Sequence, residues 1–128
     1  MVKTELEAAY AYARAMNRLD CSEFIELLAP NAHYASMWVF EELENKDAIS
    51  DYLTKKIEAV KKEEFRVYAE LAKATISFPG KDCVAIAQKN KKVVIGVVTF
   101  EVSEGYIQRF DMCIPDLFQV KRTGNYPS

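Results

Sequence analysis

Few residues in this chain have side chains suited to catalytic work, and their spacing limits what they could do. His33 is the only histidine. It falls in NAHYASMWVF, a run of aromatic and β-forming residues that reads as a strand over 32–40. Alternation puts Tyr34, Ser36 and Trp38 on one face of that strand and His33 on the other. A bulge would reverse the assignment. His33 is therefore read either as an active group or as a rim or interface residue. Arg109 and Asp111 share one face of YIQRFDMCI, opposite Phe110, Met112 and Ile114. They read as an outer-face ion pair, and a one-residue slip would turn Asp111 inward as a candidate catalytic group. Glu41, Glu42 and Glu44 read as solvated.

Tyr12 raises a different question. The stretch AYARAMNRLD sets it on a helix of mostly small apolar residues. Its hydroxyl either meets a bound molecule or tips a packing residue. A buried hydroxyl left without a partner costs about 1–3 kcal/mol. Tyr12 therefore needs Ser36, Tyr52, a backbone group, water or a ligand. Trp38 and Tyr52 are placed to line the same mouth, where aromatic rings could stack a flat ligand, although core packing predicts the same residues. Other chemistries lack their signatures. There is no Gly-rich phosphate loop and no G-x-S-x-G elbow. Cys21, Cys83 and Cys113 are far apart and form no CxxC pair. They read as reduced, small hydrophobes in a cytoplasmic setting. Cys113 and His33 have no nucleophile context. A single histidine without paired cysteines implies no zinc site, and no cofactor is implied.

A chain of 128 residues is expected to be one domain, 1–128. Its 17 Lys and Arg against 19 Asp and Glu give no basic excess for nucleic acid. The basic cluster Lys55, Lys56, Lys61 and Lys62 is diluted by Glu58, Glu63 and Glu64 and reads as a solvated helix face. No apolar run approaches the roughly 20 residues of a membrane span, and no signal-like block follows the N-terminus.

The elements that must position these residues follow from periodicity. Residues 3–19 carry two apolar stripes at helical spacing, so this helix is expected to be covered on more than one side. Asp20-Cys21-Ser22-Glu23 has the form of a capping box for a short second helix, ended by Pro30. After strand 32–40, a short second strand or extended arm runs to about Leu43. Asn45 is expected in a left-handed turn. A third helix, 47–63, buries Ile49, Tyr52, Leu53, Ile57 and Val60. Four β-rich runs follow, joined by short links that favour antiparallel hairpins. Residues 120–128 read as a loose tail. The order α-α-β-β-α-β-β-β-β implies an α+β fold, with three helices packed in a curved antiparallel sheet. The open end of such a cone is a natural ligand site.

In VVIGVVTFEV, Val94, Gly96, Val98, Phe100 and Val102 should point one way, and Val93, Ile95, Val97 and Thr99 the other. Both sets are apolar, which in a sheet means both faces are covered. The helices cover one. The other is expected to form a homodimer interface through Val93, Ile95 and Val97, with Ile107 and Cys113 nearby. The alternative is that the segment DLFQV folds back over that face.

These pieces together resemble the NTF2-like (SnoaL-like, cystatin-like α+β) superfamily. The match rests on AYARAMNRLDCSEFIELLAPNAHY, the turn LENKDAISDYL, the strands VVIGVVTFEV and YIQRF, and the element order. It covers nearly the whole chain. The superfamily holds enzymes and non-enzymes on one scaffold, so the resemblance implies fold more than function. Ketosteroid isomerase, one member, uses a helix-1 tyrosine and a protonated aspartate as an oxyanion hole, with a second aspartate as base. The resemblance places Tyr12 at the tyrosine, Ser36 at the base and Val98 at the second acid. Serine is too weak a base and valine donates nothing, so steroid isomerisation is not expected. What the resemblance does imply is a mainly apolar internal pocket for a small organic molecule. Tyr12, Tyr34, Ser36, Trp38, Tyr52, Val98, Phe110 and Met112 are the candidate lining. If the protein is an enzyme, it is expected to be a cofactor-independent isomerase, lyase or hydrolase with Tyr12 as donor. Two rival readings are a non-catalytic interaction module and a structural dimer whose cone is filled by Trp38, Phe110 and Met112.

Overall fold

Helix α1, Glu5–Arg18, starts at Thr4, whose hydroxyl accepts from the Glu7 N–H at 3.1 Å. It stops at Leu19, which turns left-handed at φ 57° and sends its N–H back to the last turn. Both of its stripes are used. Ala8, Ala9, Ala11, Tyr12, Ala13, Ala15 and Met16 are all buried, because the sheet lies against one side of the helix and α2, Ser22–Glu26, against another. The computed structural model describes residues 1–36, 41–63, 66–75, 79–115 and 119–128. Among these, α3, Lys46–Lys61, is the third helix.

Two caps differ from expectation. Asp20 accepts from the Ser22 N–H at 3.0 Å and the Ser22 hydroxyl at 2.7 Å. These two contacts hold its carboxyl below the usual range. It therefore ties the turn before α2 and does not form a reciprocal box with Glu23. Asn45 is extended, at φ −151°, not left-handed. Its side chain accepts from the Ala48 N–H at 2.8 Å, which makes it an N-cap for α3.

The strands are β1 Leu28–Ser36, β2 Val67–Ala74, β3 Asp82–Gln88, β4 Val94–Ser103, β5 Tyr106–Cys113 and β6 Val120–Arg122. They form one sheet in the order β1-β5-β4-β3-β2-β6. Pairing from β2 to β6 is antiparallel, but β1 joins β5 in parallel, so the sheet is mixed at that edge. An edge position suits Pro30, which lies inside β1 and does not end α2. Of the expected second strand or extended arm, residues 37–40 lie outside the described residues; among the described ones, Tyr34 and Leu43 form a bridge and exchange backbone bonds of 2.9 Å each. The tight β4–β5 turn has positive φ at both Glu104 and Gly105. The positive φ at Gly105 is what favours glycine there, since the nearby Met1 Cε is the end of an exposed, flexible side chain that can give way.

The C-terminal residues are not loose. β6 pairs with β2 through Ala72–Arg122 and Ala74–Val120. Beyond it, the Leu71 N–H donates to the Asn125 carbonyl at 2.9 Å. Glu70, only 3% exposed, accepts from Arg122 Nε and from the Gly124 N–H, each at 2.6 Å. Arg122 also reaches the Lys91 and Lys92 carbonyls in the β3–β4 turn. Asn17 of α1 pairs with both the N–H and the carbonyl of Ala69 at 2.8 Å and donates to the Pro127 carbonyl as well. The three residues of β6, Val120, Lys121 and Arg122, are too short a run to carry a strand signal of their own, and tertiary partners set their conformation.

Two bulges change which way strand residues face. In β4 the partner of Ile86 is Gly96 but the partner of Ala87 is Val94, so Ile95 is the extra residue. In β5 the partner of Glu101 is Arg109 but the partner of Val102 is Ile107, so Gln108 is the extra one. Each extra residue inverts the alternation beyond it. Val94 therefore packs with Ala72, Ala74, Cys83, Ala85, Val97, Cys113 and Val120 on the face away from the helices. Ile107, fully buried, packs with Val98, Phe100 and Phe110 on the helix side. The four residues expected to form a dimer face do not share one. Ile107 is in the main core, Val97 is already buried within the single chain, and Ile95 faces the helix side. Val93 is exposed. No helix among the described residues is long and apolar enough to cross a membrane.

Candidate functional site: an apolar cavity between two helices and the sheet

One end of the helix–sheet interface is packed solid with aromatic rings. The Tyr12 ring lies edge-on to Phe24 at 5.2 Å and to Phe100 at 5.7 Å. Phe24 meets Phe110 at 5.1 Å, and Tyr34 lies on Phe110 at 4.4 Å and beside Tyr52 at 5.4 Å. Beyond this plug the interface opens into a cavity of about 380 Å³. Tyr12, Met16 and Leu19 of α1 form one wall, and Tyr52, Lys56, Ile57 and Val60 of α3 form another. Val67, Ile86, Gln88, Ile95 and Met112 form the sheet side. The cone is thus filled at its apex and open towards its mouth.

The residues expected at the site divide accordingly. Tyr12, Tyr52 and Met112 line the cavity. Tyr34, Val98 and Phe110 are fully buried in the core behind it. Ser36 pairs in register with Met112 at the end of β1 and lies beside the Tyr34 hydroxyl. Trp38 lies outside the described residues. His33 and Asp111 sit on the opposite side of the sheet edge from Tyr34 and Phe110, and Arg109 joins them there. His33 Nδ1 is 2.6 Å from Glu42, Arg109 is 2.6 Å from Glu42 and Arg109 is 2.8 Å from Asp111. The Arg109 guanidinium, and then His33, hold the Glu42 carboxyl below its usual range. Glu42 is thus ion-paired, not merely solvated. His33, Glu42 and Glu44 bring three possible ligand atoms within 4.8 Å of one another, but the guanidinium already supplies positive charge there.

Burial decides the chemistry of the cavity's polar groups. Tyr12 is 1% exposed, and burial, followed by the nearby Tyr34 and Tyr52 side chains, pushes its hydroxyl well above an ordinary tyrosine. Burial also raises Tyr34. Among the described residues the Tyr34 hydroxyl has no partner in hydrogen-bond geometry, although Ser36 and Tyr52 lie beside it. Both tyrosines are neutral phenols at ordinary pH, able to donate a hydrogen bond. Lys56 responds in the opposite sense, because burial disfavours its ammonium and lowers its pKa. The described lining holds no carboxylate and no imidazole.

Lys56 is the residue that sequence reasoning misplaced. The cluster of lysines suggested a solvated face, yet Lys56 lies one helical turn from both Tyr52 and Val60. That i, i+4, i+8 stripe was the signal available, since residues four apart stack on one helix face. Gln88 and Ile95 were also missed. Gln88 ends its strand, and Ile95 turns inward only because of the β4 bulge.

Solved structures share this architecture. An NTF2-like protein from Cytophaga hutchinsonii superposes with a TM-score of 0.57 at 13% identity, over 91% of this chain and 96% of that one. A SnoaL-like protein from Burkholderia thailandensis gives 0.61 at 11% identity, over 84% and 93%. A steroid delta-isomerase from Pseudomonas aeruginosa gives 0.56 at 19% identity, over 88% and 83%. The chain has the NTF2-like fold. No protein-family model and no curated protein matches the chain. At these identities the likeness extends to the NTF2-like backbone and not to chemistry.

Proposed function

We propose that this NTF2-like chain binds a small, mainly apolar organic molecule in the cavity between α1, α3 and the sheet. The observation that carries this reading is the cavity itself. It has about 380 Å³ of space and mainly apolar walls, with Tyr12, Tyr52, Gln88 and Lys56 as the polar residues of its described lining. That volume and that balance of groups are typical of small-molecule sites. Catalysis by the ketosteroid isomerase route has no support, since the resemblance puts Ser36 where that route needs an aspartate base and Val98 where it needs a protonated aspartate.

The test is calorimetric titration of the protein with 1-decanol, a neutral apolar probe small enough for the cavity. One-to-one saturable binding is expected. Val60→Trp, at the half-buried mouth, should remove it by filling the space while leaving the circular dichroism spectrum unchanged. Absence of saturable binding, or binding indifferent to Val60→Trp, would overturn the reading.

A further inference from the structure

Lys56 is out of keeping with the rest of its helix. Lys55 pairs with Asp51 at 3.0 Å, and Lys61 pairs with Glu58 at 3.3 Å. Lys56 is turned instead toward Tyr52, Ile57, Val60 and Met112 along the cavity wall. Among the described residues no carboxylate lies within ion-pair distance of it. An ammonium taken partly out of water without a counter-ion is costly. Lysine on a helix normally avoids that cost by running its stem along apolar surface and leaving its head in water. Here Lys56 is half-buried along the cavity wall, so among the described residues a positive charge lacks its complement beside the place where a ligand would sit.

We infer that the molecule this pocket takes is an apolar monocarboxylic acid, its carboxylate held by Lys56 at the mouth and its hydrocarbon body running inward toward Met16, Ile86 and Met112. The inference rests on the pocket reading above and adds the ligand's charge to it. One ammonium matches one negative charge. A phosphate would bring about two charges and three acceptor oxygens into walls that offer little else to meet them. Charge-assisted hydrogen bonds to a carboxylate are roughly twice as strong as neutral ones. Tyr12, Tyr52 and Gln88 are the other residues of the described lining with side-chain donors. A ligand ammonium or guanidinium would meet Lys56 as a like charge.

The experiment compares decanoate with 1-decanol by calorimetric titration at pH 7.5, below the micellar range, in the wild type, Lys56→Met and Lys56→Arg. Decanoate should bind the wild type at least tenfold more tightly than decanol. The preference should persist in Lys56→Arg and fall to about unity in Lys56→Met. If decanol binds but decanoate is not preferred, or if Lys56→Met keeps the preference, the anion assignment is wrong and the pocket stands. If neither molecule binds the wild type, the pocket reading fails and takes this inference with it.

Discussion

Tyr12 shows what one buried hydroxyl does to the protein's response to alkali. Its pKa is raised in the folded state by burial first, and then by Tyr34 and Tyr52. As pH rises past roughly 10, the unfolded chain loses the phenolic proton first. The folded state then binds more protons than the unfolded one, so stability falls with pH. Stability is flat with respect to this group below the unfolded value and is lost progressively above it. Tyr12→Phe removes one such group. The unfolding free energy from urea denaturation should drop less between pH 8 and pH 11 for the variant, by up to about 1.4 kcal/mol per pH unit. Equal drops would mean that the Tyr12 hydroxyl ionises as freely in the fold as outside it. Lys56 contributes with the opposite sign. Its lowered pKa means that its burial cost is present at neutral pH and is relieved as pH climbs toward the ordinary lysine value. Lys56→Met should therefore gain stability over the wild type at pH 7, and that gain should shrink by pH 10.5.

At the level of elements, what could be read from the chain depended on whether a local signal existed. Helix α1, helix α3 and strands β2 to β5 have strong periodicity, so the α+β layout and the NTF2-like order were legible. The inward turn of Phe110 and Met112 was legible too. Facing directions beyond a bulge were not. Ile95 and Ile107 change sides because one extra residue enters each strand, and nothing local marks Ile95 or Gln108 as that residue. β6 was invisible because Val120, Lys121 and Arg122 are ordered by what they touch. No local signal marks Asn17, a polar residue of α1 that satisfies both backbone groups of Ala69. Asn17→Ala should cost about 1–3 kcal/mol in urea denaturation, the penalty for leaving partly buried backbone groups unmet. A loss below about 0.5 kcal/mol would show that water replaces the amide at no cost.

The molecule as a whole is fastened at Glu70. This carboxylate joins β2, the chain after β6 and, through Arg122, the β3–β4 turn. Removing one partner of a fully buried pair costs about 3–5 kcal/mol, but Arg122 is exposed while Glu70 is buried, so water screens part of the loss. Arg122→Met should lower the unfolding free energy by about 1–3 kcal/mol. Combining it with Glu70→Leu should recover much of the loss. A single variant within about 1 kcal/mol of wild type would mean that the Gly124 N–H alone suffices for Glu70.

The parallel contact between β1 and β5 imposes an order on assembly. Tyr34 and Ser36 are aligned with Phe110 and Met112, residues that lie roughly 75 positions further along the chain. Ribosomes add about 5–20 residues per second. The first strand therefore waits several seconds during synthesis before its neighbour exists, with α1 and α2 already free to form. Such distant pairing also places the fold among slower-forming topologies. The aromatic apex of the cone is among the last parts of the molecule to close, and the hollow beside it takes shape only then.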